Sequence, residues 1–251
     1  MSLITTDGVV LKALNSGESD KILCLITPRM GKLSVMAKGS RKIRNRFSGA
    51  LEEGNRVRVT IYRKKEESLG FLSQCDILDT WKEIREDLDH TAGLFYILSL
   101  VNELVPEGEP GRECYDLLVD VLKVSTKSKD VFKIITFFEM NLLRLMGIGP
   151  VVTKCVICGL KAEENRVAFS NIKGGIMCLK CSDVNLRTGS ISLGALKTLN
   201  LIGKQGLRME NNIRISKDCR NDISNFIYPY MVYHTGKEIK ARKVLKQMDL
   251  I

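Results

Sequence analysis

The chain has 251 residues, 44% of them hydrophobic, with a formal net charge of +10. That is enough length for two domains or one large one and enough apolar residue for a real core, which excludes collagenous and wholly disordered chains. The opening residues carry no basic n-region and no long apolar run, so no secretory signal is expected. The most apolar stretch, Leu94 to Val105, is short and contains Asn102 and Glu103, so it reads as a core helix and not a membrane span.

The charge is unevenly placed: +5 over residues 1–80, −4 over 81–150 and +9 over 151–251. A basic front and back around an acidic middle point to a polyanion, most simply nucleic acid, with plain solubility charge as the alternative.

In chain order, the first 80 residues read as strands. Val9 to Leu14 and Lys21 to Thr27 are apolar runs, Pro28 to Gly31 is a turn, and Lys32 to Lys38 puts Leu33, Val35 and Ala37 on one face. Arg56 to Tyr62 alternates, with Val57, Val59 and Ile61 inward and Arg56, Arg58 and Thr60 outward, and a charged turn leads into Leu69 to Leu78. Five short strands predict a small barrel of the OB type or an SH3-like one.

Between the third and fourth strands, Lys38, Arg41, Lys42, Arg44 and Arg46 place five cations in nine residues, and no acidic residue occurs from Lys21 through Leu51. A loop of this kind clamps phosphates, because each phosphate it neutralises releases a counterion; a solvated loop is the bland alternative. Ser40, Asn45 and the Gly39 amide are expected to add hydrogen bonds to phosphate oxygens. Phe47 either packs in the core or stacks on a base.

From Trp81 the period becomes helical, through Trp81, Ile84, Leu88, Leu94, Phe95, Leu98, Val101 and Leu104, until Pro106 to Gly111 ends the element. A second helix is marked by Cys114, Leu117, Leu118, Val121 and Leu122, and a third by Val131, Ile134, Ile135, Phe138, Leu142 and Leu145. Trp81, His90 and the phenylalanines at 137 and 138 read as packing.

Cys155-Val-Ile-Cys158 and Cys178-Leu-Lys-Cys181, with 19 residues between the pairs, have the spacing of a zinc site. Two tight turns aim four thiolates at one point, the tetrahedral set that suits Zn²⁺; a disulfide pair or four buried thiols is the competing reading. Four sulfurs close the coordination shell, so one structural Zn²⁺ is expected and no metal-bound catalytic water. Gly159 and Gly174-Gly175 allow the positive φ angles such turns use. Cys24, Cys75, Cys114 and Cys219 are scattered in apolar surroundings and are expected to be reduced, which with the missing signal points to the cytoplasm.

Ser192 is a plausible cap for a helix through Leu193, Leu196, Leu199 and Ile202, broken at Gly203 to Gly206. Cys219 to Tyr230 predicts another helix, bent or ended by Pro229. From Lys237 to Lys246 five cations interleave with Ile239, Val244 and Leu245, forming either a second nucleic-acid surface or a helix docked by its apolar side. No P-loop, no His-Glu-x-x-His and no nucleophile–base pairing is visible, so no enzyme is expected.

The order of these parts resembles the bacterial recombination mediator family RecO. The resemblance rests on the strand region ending Asp20-Lys21, the run Ala37-Lys-Gly-Ser-Arg41-Lys42 continuing to Arg46-Phe-Ser-Gly-Ala-Leu51, the segment Cys155-Val-Ile-Cys158-Gly159 with Cys178 to Cys181, and Tyr233-His234-Thr-Gly236 with its basic sequel. It covers essentially the whole chain. It implies an α+β protein: an N-terminal five-stranded OB-type barrel over 1–80, then a helical domain over 81–251 with a four-cysteine zinc module inserted at about 151–190. It further implies binding of single- and double-stranded DNA, annealing of complementary strands, and cooperation with RecR and the tail of single-strand-binding protein in loading RecA, at the nucleoid during repair. By position, Lys38, Arg41 and Lys42 fall on the family's DNA-binding loop, and Arg44 and Arg46 extend it. Arg56 and Arg58, outward on the following strand, are expected to be DNA-binding as well. A rival reading is a scaffold that grips acidic peptides, with DNA binding secondary.

Overall fold

Period-two alternation builds the N-terminal barrel. In the computed structural model, which describes residues 2–47, 49–63, 69–108, 111–161, 164–183, 185–186, 188–205 and 214–251, five strands run β1 (Ser2–Ser16), β2 (Asp20–Thr27), β3 (Gly31–Ala37), β4 (Arg56–Arg63) and β5 (Gly70–Asp79). They close in the order β1-β2-β3-β5-β4, with β1 also paired to β4; only β3 and β5 run parallel. This is the OB arrangement, which the strand pattern left open against an SH3-like barrel. The interior is filled by Val10, Leu23, Leu25, Leu33, Val35, Ala37, Val57, Val59, Ile61 and Leu72.

β1 is longer than the apolar run Val9 to Leu14 foretold. Its first half pairs with β4, placing Ile4 opposite Ile61, and its second half pairs with β2, with a register shift between Val10 and Lys12. One strand thus serves both sides of the closure, and the bulge re-aims it between them. Polar residues Thr5, Thr6 and Asp7 hide this strand from a search for hydrophobic alternation.

Two compact units divide the chain, Met1–Lys127 and Ser128–Ile251. In the first, α1 (Lys82–Arg85), α2 (Leu88–Leu104) and α3 (Arg112–Ser125) follow the barrel. Trp81, in the left-handed region at φ 52°, is buried and its indole Nε1–H donates to the Gly54 carbonyl at 2.9 Å, so its role is packing as expected. Asp87 caps α2 by accepting from the His90 amide at 2.9 Å, and His90 Nδ1 lies 2.8 Å from the same oxygen. α2 and α3 pack on the outer side of β1, burying Val9 and Leu11, while Leu88 and Phe95 face solvent, against the periodicity reading.

In the second unit, α4 (Val131–Leu145) is capped by Asp130 and packs against α5 (Leu193–Gln205) and α6 (Lys217–Thr235). A small sheet of β6 (Arg166–Ser170), β7 (Gly175–Met177) and β8 (Gly189–Ser192), in the order β7-β6-β8, stands beside α6. Strands this short show no period in sequence, so residue pattern alone does not foretell this sheet. Phe169 of β6 meets Phe226 of α6 edge-on at 4.9 Å. The Ser192 cap is present, its Oγ accepting from the Ala195 amide at 3.3 Å. α5 runs through Gly203 to Gln205; the remainder of the expected break, with Gly206, lies outside the described residues. Pro229 does not end α6, which continues to Thr235 and closes on Gly236 at φ 66°. The last helix is α7 (Arg242–Gln247).

Candidate nucleic-acid interface and metal centre

The basic loop joins β3 to β4 and has two halves of different character. Its second half is anchored. Phe47 and Leu51 are buried in the barrel, Asn55 Nδ2 donates to Gly49 and Ala50 carbonyls at 2.9 and 3.3 Å, Gly54 N–H donates to Val10 O at 2.7 Å, and Arg85 Nη2 donates to Glu53 O at 2.7 Å. Its first half projects. Lys38, Arg41, Lys42, Arg44 and Arg46 are all exposed. Gly39, at φ 69°, makes the turn after Lys38, and its amide donates to Asp20 Oδ1 at 2.8 Å. That bond, then one from Ser19, hold the Asp20 carboxyl below its ordinary value. Arg41 is tied to the opposite turn by its Nη1, which donates to Gly17 O at 2.9 Å.

The loop decides one alternative and amends three expectations. Phe47 is 3% exposed and packs in the core, the first of the two readings of that residue. The Gly39 amide is spent on Asp20, and Ser40 is buried, its Oγ without a hydrogen-bond partner among the described residues. Asn45 is spent internally: Nδ2 donates to Lys42 O at 3.1 Å and Oδ1 accepts from the Phe47 amide at 2.9 Å. The loop's offer to a polyanion is therefore its cationic side chains, with little from its neutral side chains or the Gly39 amide.

Arg56 and Arg58 lie on β4, Arg56 directly after the loop. Both reach Asp7 on β1: Arg58 Nε at 2.8 Å and Arg56 Nη2 at 3.5 Å, with Arg56 Nε also donating to Tyr115 Oη at 3.2 Å. Their charge is partly neutralised by Asp7, which no reading of the local sequence reveals. In the tail, Lys237, Lys240, Lys243 and Lys246 are exposed, but Arg242 is 4% exposed, stacked at 4.0 Å on Tyr228 and 3.5 Å from Glu139. Ile239 and Leu245 are buried, so this segment is docked by its apolar side with a basic face left in solvent.

The second unit gathers the four cysteines. Cys155, Cys158, Cys178 and Cys181 bring their Sγ atoms within 4.8 Å of one another. The first turn is closed by Gly159, at φ 75°, whose amide donates to Cys155 O at 2.9 Å; the second is a single 3-10 turn, Leu179–Cys181, with Cys181 N–H donating to Cys178 O at 3.0 Å. Gly174 takes φ 80° as expected, but Gly175 does not need its freedom of φ. It needs its lack of a side chain, since a Cβ there would collide with the Val151 carbonyl that bridges to it.

The donor set fits a tetrahedral metal. Four sulfurs at about 2.3 Å from one ion lie about 3.8 Å apart, and Cys158 Sγ is 3.7 Å from Cys178 Sγ, far beyond the bonded length of about 2.05 Å of a disulfide. Burial raises the Cys155 thiol, but the amides of Cys158, Cys178 and Ile157 outweigh it and bring it down to about 6; hydrogen bonds with Cys158 and Cys178 push Cys181 up to about 12. Four thiolates this close repel, and a central cation relieves them all. Burial first of all drives the thiols of Cys24, Cys75 and Cys114 up, to about 11, 12 and 12, with Glu107 and Glu103 adding to it at Cys24 and Asp76 at Cys75. Among the described residues, no helix is long and apolar enough to cross a membrane.

Comparison with known proteins matches residues 1–81 to the family model Recombination protein O N terminal and residues 85–243 to Recombination protein O C terminal. The DNA repair protein RecO of Symbiobacterium thermophilum is 31% identical over 248 residues, 98% of this chain and 97% of that protein. The DNA repair protein RecO of Syntrophus aciditrophicus is 32% identical over 249 residues, 97% of this chain and 95% of its own length.

Proposed function

Because this chain belongs to the RecO family, with a role in DNA repair and recombination, we propose that it is a non-catalytic recombination mediator that binds single- and double-stranded DNA and anneals complementary strands. With RecR it would load RecA onto strands coated by single-strand-binding protein, in the cytoplasm at the nucleoid. The domains proposed for these tasks are the barrel, 1–80, and the helical part, 81–251. The observation that carries the reading is the exposed cluster Lys38, Arg41, Lys42, Arg44 and Arg46 on a loop whose base is pinned to the barrel. Complementary strands repel through their phosphates, and separate basic surfaces on one protein screen that repulsion. The loop supplies one surface, and the exposed lysines at 237, 240, 243 and 246 are proposed as another. Arg56 and Arg58 contribute less, their charge being shared with Asp7. Annealing makes and breaks no covalent bond, so no catalytic residue is required of this chain.

Cys155, Cys158, Cys178 and Cys181 are proposed to hold one Zn²⁺. Bound there it supplies cross-linking of the two turns and no open coordination position.

The test is strand annealing by the full chain. With Arg41→Ala, Lys42→Ala and Arg44→Ala combined, annealing should slow, and the slope of log affinity for a single strand against log salt should flatten by about 2, since each lost phosphate contact removes about 0.7. An unchanged slope moves the DNA site elsewhere. The scaffold reading has its own support in the basic face of 237–246: reversing those charges should then abolish acidic-peptide binding and spare DNA binding.

A further inference from the structure

One row of side chains on the outer surface of the barrel is apolar from end to end. Leu3 lies opposite Tyr62, Tyr62 opposite Phe71, Phe71 opposite Met36, Met36 opposite Ile22, and Ile22 opposite Leu14. Their chain neighbours Ile61, Leu72, Val35 and Leu23 fill the interior, so by the period of two these six face outward. Directly opposed residues on one face touch. The six therefore make a continuous ribbon about 24 Å long, five strand spacings of about 4.8 Å. Leu3 and Leu14 are 67% and 52% exposed, and the four residues between them are half-buried.

The contrast with the other end of the barrel is informative. There the outward pair Val9 and Ile26 is fully buried, because α2 and α3 pack over β1 and α3 over β2. Apolar outward residues are thus covered where the fold supplies a cover, and the ribbon has none among the described residues. Two of its residues, Tyr62 and Phe71, are aromatic and stand opposite each other in the register of β4 and β5, and cations border them. Lys38 Nζ lies 4.7 Å above the Phe71 ring, and Arg46 Nη2 is anchored at 3.2 Å on the carbonyl of Leu72, the residue after Phe71. Flat apolar rings edged with positive charge complement one class of partner above others, a chain of flat bases strung on phosphates.

We propose that this ribbon is a stacking platform for the bases of single-stranded nucleic acid, with Phe71 and Tyr62 as its two stacking rings and Lys38 and Arg46 on the adjoining phosphates. The proposal rests on the nucleic-acid reading above and specifies it. A duplex hides the faces of its bases, so the platform engages single strands and the basic loop alone engages duplex. Lys38 leaves the Phe71 ring for a phosphate when a base arrives. Stacking tolerates every base, so no sequence preference follows.

The experiment measures binding of a fluorescent oligothymidylate and of a duplex of equal length to the full chain carrying Phe71→Leu, Tyr62→Leu or Tyr62→Phe, with the melting temperature as the folding control. Leucine keeps the apolar bulk and removes the ring. Each leucine variant should weaken oligothymidylate binding by about tenfold, leave the salt slope unchanged and spare duplex binding, while Tyr62→Phe binds as the parent does. Phe71→Trp should show indole fluorescence quenched by the oligonucleotide. Leucine variants that bind like the parent, or an unquenched Phe71→Trp, while the Arg41/Lys42/Arg44 variant still flattens the slope, would overturn the platform and leave the DNA-binding reading standing. Failure of the parent chain to bind either oligonucleotide would overturn both.

Discussion

Cys114 and Cys155 are one side chain in two settings. Burial pushes the Cys114 thiol up to about 12, whereas at Cys155 burial is outweighed by three backbone amides and the thiol falls to about 6. The first is inert packing; the second stands with three more sulfurs within 4.8 Å, a group that could hold a metal ion. Metal analysis of the purified chain should return about one Zn²⁺ per molecule. Cys181→Ser should lower that content, and a chelator should lower the melting temperature of the second unit by more than about 10 °C. A metal-free protein with unchanged melting would contradict the clamp. The residue scale also marks what reading along the chain misses. Asp7, Asp20 and Glu139 set the charge left on Arg56 and Arg58, the shape of the basic loop and the burial of Arg242, and none of them is near its partner in sequence.

Among the elements, the bridge between Val151 and Gly175 shows how backbone contact shapes the cysteine cluster. Val151 N–H donates to Gly174 O at 2.9 Å and Ile176 N–H to Val151 O at 3.0 Å, so the segment before Cys155 lies directly on β7, just before Cys178. A side chain at 175 would strike the Val151 backbone and Val156. Gly175→Ala is therefore expected to cost about 1–3 kcal/mol in denaturant unfolding and to weaken metal binding. Gly194, near the start of α5 with nothing within 4 Å of an added Cβ, is the control; Gly194→Ala should be neutral or stabilising by up to about 1 kcal/mol. The pairing β3 with β5 has a similar need, for a Cβ at Gly70 would come within 2.7 Å of Ile61 Cγ2 and 3.2 Å of Val35 Cγ1.

For the molecule as a whole, the net charge of +10 divides into cations that stay in solvent and cations the fold consumes. Arg242 is consumed. It joins α7 to α4 through Glu139 at 3.5 Å and to α6 through the Ser224 carbonyl at 3.3 Å, closing the second unit across 103 residues of sequence. Arg242→Ala removes the buried cation beside Glu139 and should destabilise the unit by about 3–5 kcal/mol, read as a lower denaturation midpoint. Lys243→Ala, exposed on the same helix, should leave stability within about 0.5 kcal/mol of the parent. Counting both residues as equal members of a basic tail, as composition does, would miss this difference.

The four-cysteine spacing, the alternation of Arg56 to Tyr62, the helical period after Trp81 and the acid-free basic run were enough to place the cysteine cluster, the barrel strands, the main helices and the exposed loop, because each is a local pattern that backbone geometry converts directly into structure. Residue period says which way a side chain faces and nothing about what it will face. Closure of β1 onto β4, the pairing of Arg56 and Arg58 with Asp7, the burial of Arg242 and the ribbon from Leu3 to Leu14 all depend on which distant strands and helices become neighbours. Those neighbours are chosen by the packing of the whole chain, so only the tertiary structure decided them.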